Sequence, residues 1–218
     1  MRAPEDTRIV VVSDCHGDAE GLRELLLKTE ATLPDGTKNS DVWVCQIGDL
    51  IDGSNYTLDG DYECLLLSEK YVDCQIVGNH DLPLIYGPRS WGPTFSSIHI
   101  PSPDSPTADL LQKLAEKNHF IAAASWRDVL ITHAGFDPGW TDGIAEGIEG
   151  ANDFDISDSA EKIAEKLNAR FARRSNGGSY DPVLEAISRI RGGHSPFGGI
   201  VWSHLEEMVM GYEEYPEF

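Results

Sequence analysis

Four short apolar runs in this chain each stop at residues that bind cations or protons. Arg8-Ile9-Val10-Val11-Val12 leads into Ser13-Asp14-Cys15-His16-Gly17-Asp18. Asp41-Val42-Trp43-Val44-Cys45-Gln46-Ile47-Gly48 leads into Asp49 and then Asp52. Cys74-Gln75-Ile76-Val77 ends in Gly78-Asn79-His80-Asp81, and Val129-Leu130-Ile131-Thr132 ends in His133-Ala134-Gly135. Such runs, short and rich in β-branched residues, read as buried strands. Helical patterns fall between the first of them, over Ala19–Lys28 with Leu22, Leu25 and Leu26 on one face, and over Cys64–Tyr71. Alternating strands and helices predict a parallel α/β sheet. The strand ends of such a sheet converge on one edge, where ligands bind. Asp14, His16, Asp49, Asn79 and His133 are therefore expected to meet, although they are scattered along the chain.

Charges at the tip of a core strand are costly to desolvate unless something pairs with them. Each of these residues has a simpler reading when taken alone. Asp14 or Asp18 can cap the helix that follows, Asp49 and Asp52 can be turn residues, and His133 can be a satisfied core histidine. The recurrence of ligand-type residues at four strand ends favours metal binding. Carboxylate, imidazole and amide oxygen together suit Mn²⁺ first, with Fe or Zn²⁺ as alternatives, better than Ca²⁺ or Mg²⁺. One carboxylate can bridge two cations about 3.5–4 Å apart.

The rest of the chain is plainer. Residues 82–106 carry Pro83, Pro88, Pro93, Pro101, Pro103 and Pro106 and read as loop. Thr107–Lys117 reads as a helix, and His119–Trp126 and Arg127–Thr132 as two strands joined by a tight turn. Phe136–Asn152, rich in Gly and Asp, reads as a surface loop. Asp158 with Glu161 resembles a capping box ahead of a helix bearing Ile163, Ala164, Leu167 and Phe171. Val183, Leu184, Ile187 and Ile190 suggest one more helix. The 218 residues fit a single domain. With 37 acidic and 17 basic residues, the net charge of −20 repels nucleic acid and anionic membranes, which argues against a nuclease. No apolar run is long enough to cross a bilayer. Cys15, Cys45, Cys64 and Cys74 form no CxxC pair, and Cys45 and Cys74 read as reduced core thiols. A cytoplasmic protein is expected.

The order Asp14-x-His16, Gly48-Asp49-x-x-Asp52, Gly78-Asn79-His80-Asp81, Thr132-His133-Ala134-Gly135 resembles the calcineurin-like metallophosphoesterases. It is most similar to the bacterial branch of the phosphoprotein phosphatases, which includes diadenosine tetraphosphatases. The resemblance covers residues 8–135 and extends less closely to Gly199-Ile200-Val201-Trp202-Ser203. It implies a four-layer αββα sandwich, two packed mixed sheets flanked by helices. It also implies a dinuclear centre, with Asp14 and His16 on the first metal, Asp49 bridging, and Asn79 and His133 on the second. His80 would protonate the leaving group, Asp52 would orient it, and a metal-bound hydroxide would attack.

The chain departs from the family's pattern twice. The family continues past Asp52 with an arginine that grips phosphate, where this chain has Gly53-Ser54. Arg89 or Arg191 can replace it, and Arg191, just before the Trp-Ser element, is the preferred substrate-binding candidate. The family's last ligand is a Gly-His after a late strand. Here Gly193-His194 follows a helical pattern and precedes Trp202, so the expectation is a single domain over 1–218 that lacks its C-terminal strands, with His194 as the alternative ligand. The resemblance implies a metal-dependent hydrolase of phosphate esters, acting on phosphoserine or phosphothreonine proteins. The alternatives are a dinucleoside polyphosphate hydrolase and a non-catalytic metal- or phosphate-binding domain.

Overall fold

The structure, a computed structural model, describes residues 1–52, 58–86, 102, 104–136, 153–155, 157–186 and 198–202. Four strands, β1 (Arg8–Val12), β2 (Val42–Gln46), β3 (Cys74–Ile76) and β4 (Phe120–Ile121), pair side by side in that order. All three pairings are parallel, with Val12 beside Gln46, Gln46 beside Gln75, and Gln75 beside Phe120. Among the described residues this sheet is therefore parallel rather than mixed, because every connection within it crosses over through helix. A second sheet is the antiparallel hairpin of β5 (Ala124–Trp126) and β6 (Val129–Ile131).

All five residues of β2 are buried, as expected of a central strand covered on both faces. Val42 and Val44 pack on one face with Leu22, Leu26 and Leu65 of helices α1 (Ala19–Lys28) and α2 (Leu58–Tyr71). Trp43 and Cys45 pack on the other with Cys74 and Ile76 of β3 and with Ala124 of the hairpin. Helix α5 (Ala160–Ser175) lies against β5 and β6. Helix, sheet, sheet and helix thus follow in the expected sense.

Several elements differ from the sequence reading. Leu22 and Leu26 are buried, but Leu25 is 37% exposed, since only the i, i+4 pair shares the inner line of α1. Helix α2 starts at Leu58, ahead of Cys64, with Asp59 and Asp61 in its first turn, where the helix dipole favours acidic residues. Residues 82–86, read as loop, form a short helix α3 (Leu82–Tyr86). Pro83 lies in its first turn, where a missing N–H breaks no bond. Helix α4 (Pro106–Glu116) starts at its own proline, capped by Ser105.

His119–Trp126, read as one strand, divides between the two sheets. Asn168 of α5 accepts hydrogen bonds from the N–H groups of Ala122 and Ala123 at 2.9 and 3.0 Å and donates to Ala123 O at 2.8 Å. Those peptides are thereby withheld from either ladder. The cap of α5 is Ser159, not Asp158, which instead pairs with Lys162 and Lys166. Helix α6 (Pro182–Glu185) ends where Ala186 turns extended at ψ 131°, so the expected helix to Ile190 does not continue through it. Residues 187–197 lie outside the described residues, as do 137–152 of the expected surface loop.

Candidate metal centre

The four parallel strands deliver their C-terminal turns to one edge. The first two turns are laced by backbone. The N–H groups of Cys15 and His16 both donate to Asp49 O at 2.9 Å, and Gly17 N–H donates to Leu50 O at 3.1 Å. The lacing requires left-handed backbone at His16 (φ 47°), Asp49 (φ 50°) and Asp52 (φ 71°). Such residues cost roughly 1–3 kcal/mol each and cluster where surrounding structure over-determines them. Two glycines allow the turns to touch. A Cβ on Gly48 would lie 2.5 Å from His133 Nδ1, and one on Gly78 would lie 2.8 Å from Asp49 Cγ.

Asp49, 3% exposed, lies at the centre. Its Oδ1 accepts the backbone N–H of His80 at 2.8 Å. Its Oδ2 stands 3.7 Å from His16 Nε2 and also 3.7 Å from His133 Nε2. That distance is too long for a hydrogen bond. It lies within the roughly 4.2 Å that two donors can span when each stands about 2.1 Å from a common cation. His133 Nδ1 lies 2.7 Å from Ile47 O, so this nitrogen carries the proton and Nε2 presents a lone pair. That lone pair faces Asn79 Oδ1 at 3.0 Å. Two acceptors that converge beside a buried carboxylate suit a divalent cation. Ligand atoms of His16, Asp49 and His80 also gather within 4.8 Å of one another. The donor set fits a metal.

His80 binds the centre through its backbone, while its ring turns to Asp52, with Nδ1 2.7 Å from Asp52 Oδ2. The Asp52 contact holds the imidazole above its ordinary pKa, against the effect of burial and with help from the charge of Asp49. The rings of His16 and His80 meet edge to face at 4.9 Å. Asp52 is held in turn by Asp61, whose Oδ1 accepts the Asp52 N–H at 3.1 Å.

Of the sequence candidates, His16, Asp49, Asn79, His80, Asp52 and His133 come together. Asp14 stands exposed beyond the end of β1 and is not in the group gathered within 4.8 Å. Arg191, Arg89 and His194 lie outside the described residues. Asp18 is the N-cap of α1, its Oδ1 accepting Gly21 N–H at 2.9 Å. Burial pushes the Cys15 thiol up to about 12.

The sequence reading gave no role to Asp81, although it stands in the Gly78–Asp81 motif. Its buried carboxylate accepts N–H groups from Gly78 and Asp49 at 2.9 Å each and from Leu50 at 3.1 Å. It ties the β2 turn to the β3 turn. Burial first, and the neighbouring charge of Asp49 second, push its carboxyl up to about 6 against those donors.

The family profile of the calcineurin-like phosphoesterases matches residues 7–216. The chain belongs to that family. Among solved structures, the cold-active protein-tyrosine phosphatase of a psychrophilic Shewanella is 19% identical with a TM-score of 0.52, covering 100% of this chain and 62% of that one. A point mutant of a cold-active protein tyrosine phosphatase is 19% identical (TM-score 0.47), covering 81% of this chain and 52% of that one. A metallophosphoesterase from Sphaerobacter thermophilus is 23% identical (TM-score 0.30), covering 61% of this chain and 48% of that one. The chain thus spans about half to three-fifths of the length of these structures. The first superposition shows that the two chains share a fold. No curated protein matches the chain.

Proposed function

We propose that this calcineurin-like phosphoesterase hydrolyses phosphate monoesters at a dinuclear metal centre. The observation that carries the reading is the Asp49 carboxylate, with one oxygen 3.7 Å from Nε2 of both His16 and His133. His16 and Asp49, with Asp14 brought in, would hold one cation, and Asp49, Asn79 and His133 the other. Mn²⁺ is the preferred ion for this mixed nitrogen and oxygen set, and Fe or Zn²⁺ also suit it. When bound, such ions supply an activated water and neutralise charge on the phosphoryl group.

The chain's own residues do the remainder. Asp49, buried and held by the His80 N–H, presents Oδ2 to both histidines. Asp81 fixes the peptides on either side of it. Asp52 raises the His80 imidazole above its ordinary pKa and orients the ring, which suits Nε2 to give a proton to the leaving oxygen.

That dyad bears on the substrate class. An alkoxide leaving from phosphoserine or phosphothreonine needs a proton, whereas a phosphate leaving from a dinucleoside polyphosphate does not. We therefore favour a phosphorylated protein side chain over a dinucleoside polyphosphate, with Arg191 as the candidate phosphate clamp. Four free cysteines support a reducing, cytoplasmic compartment. No helix among the described residues is long and apolar enough to cross a membrane.

The deciding experiment is a hydrolysis screen of the metal-loaded protein. It sets p-nitrophenyl phosphate against its diester, phosphoserine, phosphothreonine and phosphotyrosine peptides, and a dinucleoside tetraphosphate. Monoester turnover that needs Mn²⁺ and favours the alkyl phosphopeptides is expected. Full turnover with chelator present defeats the metal reading. Preference for the dinucleoside substrate replaces the proposed substrate class.

A further inference from the structure

Gln46 is the last residue of β2 and is fully buried, a polar end to an otherwise apolar strand. A buried carboxamide is tolerated only when its hydrogen-bonding groups are satisfied. Gln46 is satisfied largely by the turns that carry the metal-centre residues. Its Oε1 accepts the Gly48 N–H at 2.8 Å, and its Nε2 donates to Gly48 O at 2.6 Å. The second hydrogen on Nε2 points to Ser13 O at 3.2 Å, on the residue before Asp14, and Cys15 Sγ lies 3.9 Å away. One side chain thus grips the peptide groups of the glycine before Asp49 and the carbonyl that precedes Asp14 and His16.

The grip is itself anchored. Gln75, paired with Gln46 across β2 and β3, donates from Nε2 to Gln46 Oε1. Gln75 Nε2 also donates to Ile76 O at 3.0 Å, and its Oε1 accepts Ser68 Oγ–H at 2.8 Å. Ser68 Oγ meets His119 Nε2 at 2.9 Å. Gln46, Gln75 and Ser68 are all fully buried. This chain of bonds fixes which end of each carboxamide is oxygen and leaves Gln46 no second orientation.

We propose that Gln46 is a positioning residue for the metal centre, whose carboxamide holds the Ser13–His16 turn and the Gly48–Asp49 turn at the separation that cation binding requires. It touches neither cation nor substrate and acts through Asp49 and His16. Gly48 has no side chain to hold its peptide, and the close approach of His133 Nδ1 excludes one. The orientation of that peptide, and hence of Asp49, depends on Gln46 from one side as it depends on Asp81 from the other. The inference rests on the metal reading proposed above.

The test compares the metal-stripped full chain with Gln46→Met, which keeps the side-chain volume and removes the amide, and with Ser68→Ala, which removes a remote link. Mn²⁺ affinity is measured by competition with a chelating dye, and Tm is measured without metal. Gln46→Met is expected to weaken Mn²⁺ binding about 10–100-fold, the usual effect of losing support behind a metal ligand. Ser68→Ala, which loosens the anchor but leaves the Gln46 amide in place, is expected to lower Tm and to weaken Mn²⁺ binding much less than Gln46→Met does. Gln46→Asn, an amide one methylene shorter that cannot reach both turns, is expected to weaken binding in the same direction if the Met variant does not fold. Wild-type affinity in a folded Gln46 variant overturns the inference. Failure of both Gln46 variants to fold also overturns it, since Gln46 then serves the core alone. If the wild-type protein takes up no Mn²⁺, the metal reading itself has failed, an outcome separate from either of these.

Discussion

His80 Nδ1 stands 2.7 Å from Asp52 Oδ2, while the backbone N–H of the same residue donates at 2.8 Å to Asp49, the carboxylate that His16 and His133 face. One residue is thus tied through its backbone to the metal centre and through its ring to a separate acid. This geometry suits a proton donor anchored at the centre. His80→Ala is expected to lower kcat by roughly 10²–10⁴-fold on alkyl phosphates, whose leaving groups need a proton. The loss should shrink on p-nitrophenyl phosphate, with metal content unchanged. Asp52→Asn should show a milder version. Metal analysis alongside kinetics on both substrates is the check. Metal lost in proportion to rate makes His80 a ligand instead.

Gly78→Ala tests the contact between the second and third turns. The new Cβ would fall within 2.8 Å of Asp49 Cγ, where backbone as well as side chain must move. Overpacking of this kind costs typically about 1–3 kcal/mol. The variant is expected to have a lower Tm and, because Asp49 is the group displaced, a lower Mn²⁺ affinity. A control, Gly36→Ala, has no atom within 4 Å of the added Cβ and should bind Mn²⁺ as the wild type does. Calorimetric titration of the two variants distinguishes them.

Metal titration of the stripped chain should show two unequal equivalents. One site draws on an imidazole and carboxylates. The other shares Asp49 and relies on Asn79, a neutral donor, beside His133. Activity is expected to rise as the weaker equivalent fills and to vanish with chelator. Activity complete after a single equivalent overturns the dinuclear proposal.

Away from the centre, Asp158 bonds Lys162 and Lys166 Nζ at 2.5 Å each. The two lysines hold its carboxyl down to about 2. A carboxyl depressed in the folded state binds fewer protons there than in the unfolded chain, so its stabilisation is present above the unfolded value, near pH ~4. It is lost as pH falls towards 2. Asp158→Asn should therefore lower Tm at neutral pH, and the difference from wild type should close between about pH 4 and 2. A difference in Tm that stays constant across that range contradicts the pairing.

The sequence by itself determined the strands and what stands at their ends. β1, β2, β3 and β6 are short apolar runs, and His16, Asp49, Asn79 and His133 follow them directly. Both signals are local, and parallel pairing carries three of those strand ends to a common edge. His80 and Asp52 were legible for the same reason. What joins the turns was not. Asp81 and Gln46 act through hydrogen bonds to backbone groups some thirty residues away, at Leu50 and Ser13. Their residue types alone suggested an ordinary acid and an ordinary strand amide. The division of residues 119–126 between two sheets likewise depends on Asn168, more than forty residues on. The early end of α6 also sits beside contacts that periodicity does not show. Ala186 O accepts Gly199 N–H at 2.7 Å, and the next residue, Ile200, carries the carbonyl that receives Ala134 N–H beside His133 at 2.9 Å. Periodicity and residue chemistry fix where strands end and which ligands they offer. The spacing between those ligands depends on backbone donors and acceptors that become neighbours only when the turns pack, and every residue carries those groups alike.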